Sequence, residues 1–308
     1  MTNYRGFQIG AGYKENIEAA RSWGANLIRW QITGNMTDIS NWDRATYDAW
    51  LMKELSHLQD AIPTIKANDM KVIVDIHHPV GGIVIDKKGR TVYRLFRESW
   101  ARTAWLEHWL YIAGLFKSEG TVLAYDLLNE PQVNRNRRWN KLARKLLPRI
   151  REIDPNKPII ISSRGDDPRD IKGLRYRRRY GPIWYQVHMY LPKVTTFQGL
   201  SPKYPIGPLY PGVHNKRDLR EFLKPARDFQ KKHNAHIYVG EFSCARWSGI
   251  PGNYNCARYI QDCIELFEEF GWDWSYHAWR EADVWNPEHI TTRSQMKAVL
   301  EKYFNRNW

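Results

Sequence analysis

Two glutamates follow short apolar stretches of the chain, and their positions suggest a chemistry. Glu130 comes directly after the stretch Val122–Asn129. Glu241 comes directly after the stretch Ile237–Gly240. Cleavage of a glycosidic bond needs two carboxyl groups, because a protonated one serves the leaving oxygen while an ionised one serves the anomeric carbon. A single glutamate in such a place is commonly only a salt-bridge partner, so the hypothesis depends on what surrounds the pair.

The ends of other apolar stretches carry polar or aromatic side chains as well. These side chains are Arg29, His77, His78, Asn129, His188, Tyr190 and Trp279. Ionisable groups at such positions are costly to bury, and they therefore suggest a function. If every stretch is a strand of one parallel sheet, these side chains meet the two glutamates at the edge where the strands end.

Eight short stretches have the composition of buried β-strands. They are Gly6–Gly10, Ala25–Ile32, Lys71–His77, Val122–Asn129, Pro158–Ser162, Trp184–Tyr190, His236–Phe242 and Gly271–Trp279. Most of them are nearly continuous apolar runs rather than alternating patterns. This composition is typical of parallel strands that are buried on both faces.

Amphipathic segments with helical spacing lie between these strands. The predicted helices are Lys14–Trp23, Tyr47–Asn68, Phe96–Lys117, Trp139–Arg151, Lys216–Lys232, Tyr254–Phe270 and Thr292–Phe304. The segment Ser163–Ile183, between the fifth and sixth strands, is the weakest match to a helix. Strand–helix alternation without a Ser/Gly-rich linker predicts the α/β class and a single domain, residues 1–308, folded as a (β/α)8 TIM barrel.

Six segments in this order resemble glycoside hydrolase family 5, and each lies on the strand where that family has it. They are Asn26–Arg29, Val72–His78, Leu128–Pro131, Val187–Tyr190, Val239–Phe242 and Trp274–Trp279. Each motif alone is weak, but six in the expected order are a specific signal. The resemblance implies a retaining β-glycoside hydrolase that uses no metal and no cofactor.

The resemblance also implies roles for the residues around the cleavage point. Glu130 would be the general acid/base and Glu241 the nucleophile. Asn129 would hydrogen-bond the sugar 2-hydroxyl, an interaction that strengthens in the transition state. Arg29 would keep the nucleophile ionised, and Tyr190 would donate a hydrogen bond to it.

The remaining motif residues would form the sugar subsite on the non-reducing side of the cleavage point. His77 and His188 would line this subsite, and Trp279 would be its apolar floor. Asp75 shares the alternation parity of His77, so we expect it to orient that imidazole. His78 points to the opposite face by the same logic and is predicted to be structural.

A metal site is an alternative interpretation of the same region. Its four ligands would be Asp75, His77, His78 and His188, because histidines are frequent zinc ligands. This alternative leaves both glutamate motifs unexplained, and it lacks the strand-end lysine that some metal-dependent barrel hydrolases use.

The formal net charge of +14 is unusual and is concentrated in two stretches. Arg135–Arg151 holds eight basic and no acidic residues, and Arg164–Arg179 is also rich in arginine. In the first stretch Leu142, Leu146 and Ile150 recur every four residues, which marks the buried side of an amphipathic helix. The basic side chains then fall on its solvated side, and we expect no nucleic-acid partner. A basic barrel that binds polyanions without catalysis is the non-enzyme alternative.

Three cysteines are too few for a disulfide framework. Cys256 and Cys263 are seven residues apart on one predicted helix, which is too far for a disulfide. Together with Cys244, they are predicted to be small buried apolar residues.

The sequence leaves the compartment open. No apolar run approaches the roughly 20 residues that would span a membrane. The segment Met1–Gly12 lacks the layout of a signal peptide. Either the protein is cytoplasmic, or a signal was removed and the extracellular or periplasmic space is favoured. We expect a monomer.

Two extended loops, Pro79–Ser99 and Leu191–Asn215, are expected to shape the cleft and choose the substrate. From the resemblance, the substrate is a β-linked polysaccharide or oligosaccharide, with β-1,4-glucan as the default. Mannan, xyloglucan and β-1,3-glucan stay open, as does endo or exo action. Trp247 and Trp285 are candidate sugar platforms. A polar cluster after the last strand is unassigned; it contains Arg280, Glu281, Asp283 and Trp285.

Overall fold

The computed structural model describes residues 3–133, 136–175, 178–248, 255–288 and 293–305 of the chain. Its strands are β1 (Arg5–Gly10), β2 (Leu27–Ile32), β3 (Lys71–Ile76), β4 (Ile83–Ile85), β5 (Thr91–Tyr93), β6 (Val122–Asp126), β7 (Ile159–Ser162), β8 (Ile183–Met189), β9 (His236–Phe242) and β10 (Asp273–Tyr276). Eight of them are parallel and close into a barrel in the order β1-β2-β3-β6-β7-β8-β9-β10, with β10 pairing back to β1. The predicted (β/α)8 fold is confirmed.

Helices follow most of the barrel strands. They are α1 (Ile17–Ser22), α2 (Met36–Asn41), α3 (Arg44–Ala67), α4 (Ser99–Phe116), α5 (Asn136–Ile153), α6 (Lys193–Thr196), α7 (Lys216–His233), α8 (Asn255–Phe270) and α9 (Arg293–Phe304). The described residues between β7 and β8 form 3-10 turns and no α-helix, as the weak helical pattern of this segment predicted. The first residues of two predicted helices, Tyr254 and Thr292, lie outside the described residues. The same holds for Arg135, the first residue of the first basic stretch.

Alternation along the strands divides the core into two parts. One part lies between the sheet and the helices and contains most of the buried apolar side chains. The other is a separate cluster with one residue from each of six strands, namely Leu27, Ile73, Ala124, Ile160, Trp184 and Tyr238. Because side chains of opposite parity face opposite sides of a strand, this cluster fills the inside of the barrel.

Two predicted strands run three residues too far at the end of the barrel where the chemistry was expected, while the other predicted strand bounds differ from the structure by at most two residues. β6 ends at Asp126 rather than Asn129, although Leu127 and Leu128 are buried and the Leu127 N–H still donates to the Ile160 carbonyl oxygen at 3.3 Å. β10 ends at Tyr276 rather than Trp279. The corresponding polar residues therefore lie on loops beyond the strands.

The basic stretches are largely exposed to solvent. On α5, Leu142, Leu146 and Ile150 are buried while the basic side chains Arg144 and Lys145 are exposed, as the helical spacing predicted. In the described part of the second stretch the basic side chains Arg164, Arg169 and Lys172 are exposed as well, whereas Asp166 is fully buried. No helix in the described ranges is long and apolar enough to cross a membrane.

The three cysteines are buried and unpaired, as predicted. The extended loop Pro79–Ser99 contains the antiparallel pair of β4 and β5. The loop Leu191–Asn215 contains the short helix α6.

Candidate active site

A polar layer follows the apolar cluster inside the barrel. The side chains two positions further along five of these strands are Arg29, Asp75, Asp126, Ser162 and Gln186. All five are fully buried. Since buried charges need partners, this layer has to be paired internally. It lies next to the ends of the strands, where the predicted catalytic residues are.

Arg29 is the cation of this layer. Its guanidinium donates to Asp126 Oδ2 from Nε at 3.0 Å and from Nη2 at 2.8 Å. It also lies 3.0 Å from Asp75 Oδ2 and donates to Glu241 Oε1 at 2.8 Å. A further hydrogen bond, of 2.7 Å, goes to Gln8 Oε1. Burial raises the pKa of Asp75 to about 7 and that of Asp126 to about 6, while Arg29 opposes both shifts.

Glu241, near the end of β9, is held at both carboxylate oxygens. Arg29 binds Oε1, and the Tyr190 hydroxyl donates to Oε2 at 2.9 Å. His188 Nδ1 and His277 Nδ1 lie 3.6 and 3.9 Å from Oε2. Burial alone would raise the pKa of Glu241, but His188, His277 and Arg29 outweigh burial and hold this pKa well below its usual range. The group is therefore ionised at neutral pH.

The residue before Glu241 is a glycine for a packing reason. A Cβ atom at Gly240 would lie 2.4 Å from Gln186 Oε1. Gln186 is buried and donates from Nε2 to Ser162 Oγ at 2.9 Å. The glycine therefore leaves room for the polar layer where β9 passes β8, and it places Glu241 at the strand end.

Glu130 lies beyond the end of β6 and is more open than Glu241. Its side chain is 36% exposed, against 6% for Glu241. Its backbone φ of 38° falls in the left-handed region, which residues other than glycine rarely adopt. The Glu130 backbone N–H donates to Asp166 Oδ2 at 2.8 Å, and this bond holds the turn.

The two glutamates approach each other beside one imidazole. A carboxyl oxygen of Glu130, one of Glu241 and a ring nitrogen of His188 all lie within 4.8 Å of one another. His188 Nδ1 is 3.2 Å from Glu130 Oε1. Burial alone would lower the pKa of His188, but Glu241, Asp166 and Glu130 raise it to about 9. His188 is nearly fully buried, so it faces carboxyl groups more than an open sugar subsite.

Asn129 and His77 belong to one hydrogen-bonded chain. Asp75 Oδ2 lies 2.9 Å from His77 Nδ1, and Asn129 Nδ2 lies 3.0 Å from His77 Nε2. Because an amide nitrogen only donates, Nε2 accepts and Nδ1 carries the proton. Burial lowers the pKa of His77 to about 4, which agrees with a neutral ring. The predicted orientation of His77 by Asp75 is confirmed. His78 instead contacts the Gly34 carbonyl oxygen at 2.7 Å, as a structural role predicts.

Trp279 does not form the floor of a sugar subsite, and this prediction is corrected. Its side chain is fully buried, with ring centroids 4.8 Å from Phe7 and 4.9 Å from Trp23. The Arg280 guanidinium lies 4.3 Å from the ring. Because β10 ends three residues earlier, at Tyr276, the indole is packed into the core instead of facing a substrate.

Sequence reasoning missed several polar residues of the site, namely Asp126, Asp166 and His277. His277 Nδ1 lies 2.8 Å from the Tyr190 hydroxyl oxygen. Asp126 shares the alternation parity of Ala124 on β6, and this was a readable signal because it places the carboxyl group inside the barrel. Asp166 and His277 follow strand ends on irregular segments and had no periodic signal.

Two residues of the polar cluster after β10, Glu281 and Trp285, lie in different surroundings, and Trp247 is compared with Trp285 as a candidate sugar platform. Glu281 accepts a hydrogen bond from the Gly10 backbone N–H at 2.5 Å, and burial raises its pKa to about 8. The Trp285 ring centroid lies 5.8 Å from that of Tyr190. Trp247 is fixed by a bond from Nε1 to the Gln198 carbonyl oxygen at 2.7 Å. Trp285 is therefore the better placed of the two candidate platforms.

The alternative metal site required four ligands, Asp75, His77, His78 and His188. Within the described residues, the group of close ligand atoms that forms is a different one, Glu130, His188 and Glu241. Arg29 already places a positive charge 2.8 Å from Glu241. The predicted set of four is therefore not assembled. Independence from metals and cofactors stays a prediction.

Known proteins resemble this chain along most of its length. Endoglucanase C of Acetivibrio thermocellus is 25% identical over 284 residues, which cover 80% of each chain. Endoglucanase C307 of a Clostridium species (strain F1) matches with the same identity and coverage.

Solved structures give the same fold. A crystal structure of Cel5A from Thermotoga maritima with mannotriose has a TM-score of 0.77 at 19% identity, covering 96% of this chain and 97% of that one. Cellulose synthase subunit Z of Clostridioides difficile has a TM-score of 0.74 at 17% identity, covering 97% and 99%. At these identities the likeness shows the fold alone.

A family model identifies the family to which the chain belongs. The model described as cellulase (glycosyl hydrolase family 5) matches residues 2–283 of the chain. This match spans most of the barrel and includes both glutamates and all six motif segments. The chain therefore belongs to glycosyl hydrolase family 5, the cellulase family, and it is a retaining glycoside hydrolase of the cellulase type.

Proposed function

We propose that this enzyme hydrolyses a β-1,4-linked glucan, with Glu241 as nucleophile and Glu130 as general acid/base. The observation that carries the proposal is the pairing of two carboxyl groups in unlike surroundings, with oxygens within 4.8 Å. Retaining enzymes separate their carboxyl groups by about 5–5.5 Å, whereas inverting ones leave about 6.5–9.5 Å for a water molecule. The short approach supports double displacement.

The surroundings match the two roles. Glu241 is ionised and held by Arg29, so one of its carboxylate oxygens can attack the anomeric carbon. The bond between the anomeric carbon and the leaving oxygen breaks in the same step. Glu130 gives its proton to the leaving oxygen in the same step. In the second step Glu130 takes a proton from water, the water oxygen bonds to the anomeric carbon, and Glu241 is released as a carboxylate.

Neighbouring groups support this sequence of steps. Arg29 and Tyr190 occupy the two oxygens of Glu241 and so direct its lone pairs. Asn129 Oδ1 accepts from Arg29 Nη2 at 3.0 Å, and one amide hydrogen bonds His77. The second amide hydrogen of Asn129 is then left for the sugar 2-hydroxyl, since an amide nitrogen has two.

The choice of β-1,4-glucan rests on the relatives, which are named endoglucanases. The main competing substrate is a β-mannan, because one similar structure is named as a complex with mannotriose. Reducing-sugar release from cellulose derivatives, mannan, xyloglucan and β-1,3-glucan distinguishes them. Preference for any of the last three would replace the proposed substrate and leave the catalytic pair unchanged.

The decisive experiment separates the two glutamates by chemical rescue. Glu241→Ala is expected to lose nearly all turnover, and azide is expected to restore it by forming a glycosyl azide of inverted configuration. Glu130→Ala is expected to retain more activity on substrates with good leaving groups, because these need little protonation. Its azide product keeps the configuration of the substrate.

Glu119→Ala is the matched control, because Glu119 precedes β6 at the opposite end of the barrel and accepts the Thr121 backbone N–H at 2.8 Å. It should keep wild-type activity. Wild-type activity in either Glu130→Ala or Glu241→Ala would refute the assignment. A first product of inverted configuration, measured by NMR, would refute double displacement.

We also propose that residues 1–308 form one catalytic domain that acts as a monomer. The closed eight-strand barrel supports this proposal, because β1 pairs with β10 and the barrel sheet therefore has no unpaired edge strand. Size-exclusion chromatography with light scattering tests the oligomeric state. Unchanged activity after treatment with a chelator tests the predicted independence from metals.

A further inference from the structure

Asp166 is a fully buried carboxyl group that the mechanism above does not use. It ends the turn that follows β7, within the Arg164–Arg179 stretch whose charges were predicted to be solvated. Its φ of 50° lies in the left-handed region, where aspartate is one of the few tolerated residues besides glycine. The turn therefore brings a carboxyl group inward, and burial raises the pKa of Asp166 well above its usual value, while His188 opposes this shift.

Both partners of Asp166 belong to the acid/base side of the site. Its Oδ2 accepts the Glu130 backbone N–H at 2.8 Å. The same oxygen lies 3.4 Å from His188 Nε2. His188 Nδ1 in turn lies 3.2 Å from Glu130 Oε1. The imidazole is thus placed between two carboxyl groups, one buried and one open to the cleft.

We propose that Asp166 is a positioning residue for the acid/base Glu130, acting both through the Glu130 backbone and through His188. This inference rests on the proposed function, which assigns Glu130 its role. Asp166 does not touch the reacting atoms. It determines where the Glu130 carboxyl points and which charge stands beside it.

The backbone contact has a specific consequence for Glu130. The left-handed φ of 38° at Glu130 is unfavourable for a residue with a side chain, so it needs an external partner. The N–H bond to Asp166 supplies this partner, and it fixes the direction in which the side chain leaves the turn. Without this bond the carboxyl would sample positions away from the leaving oxygen.

The contact through His188 concerns charge. Glu130 becomes a carboxylate when it gives up its proton, and a protonated His188 can then donate to it from Nδ1. Asp166 Oδ2 lies 3.4 Å from the other ring nitrogen, and Asp166 is one of the groups that favour the protonated form of His188. The pKa of His188, which its acidic neighbours raise to about 9 against burial, is consistent with a protonated ring at neutral pH.

The test measures kcat/KM of the full chain on aryl β-cellobiosides whose phenols differ in acidity, and on a soluble glucan. Asp166→Asn keeps an oxygen for the Glu130 N–H but removes the carboxyl group beside His188, and Asp166→Ala removes both contacts. Loss of a hydrogen bond to a charged group corresponds to about 10- to 100-fold. We expect this loss on the glucan and on poorly acidic phenols, and less than about 3-fold on 2,4-dinitrophenyl cellobioside, which needs no protonation. Asp166→Ala should lose at least as much as Asp166→Asn.

Asp170→Asn is the matched control. Asp170 lies in the same turn region, pairs with the exposed Arg164 and contacts neither Glu130 nor His188 in the described structure. It should behave as wild type on every substrate. The melting temperature of each variant is measured, and the conservative Asp166→Asn carries the result if Asp166→Ala folds poorly.

The outcomes separate this inference from the proposed function. An equal loss on all aryl cellobiosides would mean a general structural role and would overturn the inference. Wild-type behaviour of Asp166→Asn and Asp166→Ala, with a normal leaving-group dependence in Glu130→Ala, would also overturn it while the proposed function stands. If Glu130→Ala itself shows no leaving-group dependence, the proposed function fails first.

Discussion

Replacing Tyr190 by phenylalanine removes one hydrogen bond from the proposed nucleophile and leaves most of the site in place. The Tyr190 hydroxyl donates to Glu241 Oε2 at 2.9 Å and lies 2.8 Å from His277 Nδ1. Since an ionised carboxylate only accepts, the single phenol proton is committed to Glu241 and His277 has to donate from Nδ1. Burial and Glu241 raise the pKa of Tyr190 well above its usual value, so it remains a donor throughout the assay range.

The expected fall in kcat/KM follows from the hydrogen bond that is removed and from the contacts of Glu241 that remain. A hydrogen bond to a charged group contributes about 1.5–3 kcal/mol, and each 1.36 kcal/mol corresponds to a factor of ten in rate. We therefore expect kcat/KM of Tyr190→Phe to fall by about 10- to 100-fold. Activity is not abolished, because Arg29 still holds Glu241 Oε1 at 2.8 Å.

The pH profile gives a second and independent readout. Tyr190 stabilises the ionised form of Glu241, whose pKa is depressed in the folded protein. Loss of this donor favours the protonated form, so the acidic limb of kcat/KM should move to higher pH. Initial rates on an aryl cellobioside across the acidic range measure both effects.

Tyr259→Phe is the control for removing a phenol from the same region. The Tyr259 hydroxyl bonds the carbonyl oxygens of Met189 and Leu191, on either side of Tyr190. This variant should lose stability without moving the acidic limb. The reasoning is refuted if Tyr190→Phe keeps kcat/KM within 2-fold of wild type, or if both variants move the limb equally.

Three further predictions follow from the burial and charge of particular residues. Arg29→Met leaves Asp75, Asp126 and Glu241 buried without their cation, so urea denaturation should show a loss of about 3–5 kcal/mol in the free energy of unfolding. The loss should be smaller at pH 5 than at pH 8, because the pKa values of about 7 for Asp75 and about 6 for Asp126 mean that both are largely protonated at the lower pH. Trp279→Ala should lower the free energy of unfolding by about 3–5 kcal/mol, as expected for a core indole; an unchanged melting temperature with a raised KM would restore its role as a subsite floor. KM on a neutral glucan should change little between low and moderate salt, since screening acts on charge pairs. A steep loss of affinity with salt, or a marked preference for carboxylated glucan, would contradict that reading of the basic stretches.

The barrel was predictable because its strands are buried on both faces and so have long apolar runs. The predicted bounds of His236–Phe242 agree with β9. The errors at β6 and β10 share one cause, which is that buried side chains and single backbone hydrogen bonds continue beyond the last residue of each strand. Leu127 and Leu128 are as buried as any strand residue, and composition does not distinguish burial from pairing.

The candidate site was predictable where a polar residue follows an apolar run. Glu130 and Glu241 were found in this way, and the structure brings them together. Asp166 and His277 were not found, because their positions depend on irregular backbone that has no period to read. The segment around Asp166 was interpreted through its arginines, and a bulk count of charge does not reveal that one carboxyl in it is buried.

The two sides of the site are built differently, and the chemistry explains the difference. In the proposed mechanism Glu241 has to stay ionised until it attacks, and it is held by Arg29 and Tyr190 in a buried position next to the polar layer of the barrel. In the same mechanism Glu130 has to lose and regain a proton in each turnover, so its carboxyl group needs access to the leaving oxygen and to water. Its carboxyl oxygen Oε1 lies 3.2 Å from His188 Nδ1, and its side chain stays 36% exposed, against 6% for Glu241. A strand-based nucleophile and a loop-based acid/base are therefore what one enzyme needs if one carboxyl keeps its charge while the other exchanges its proton.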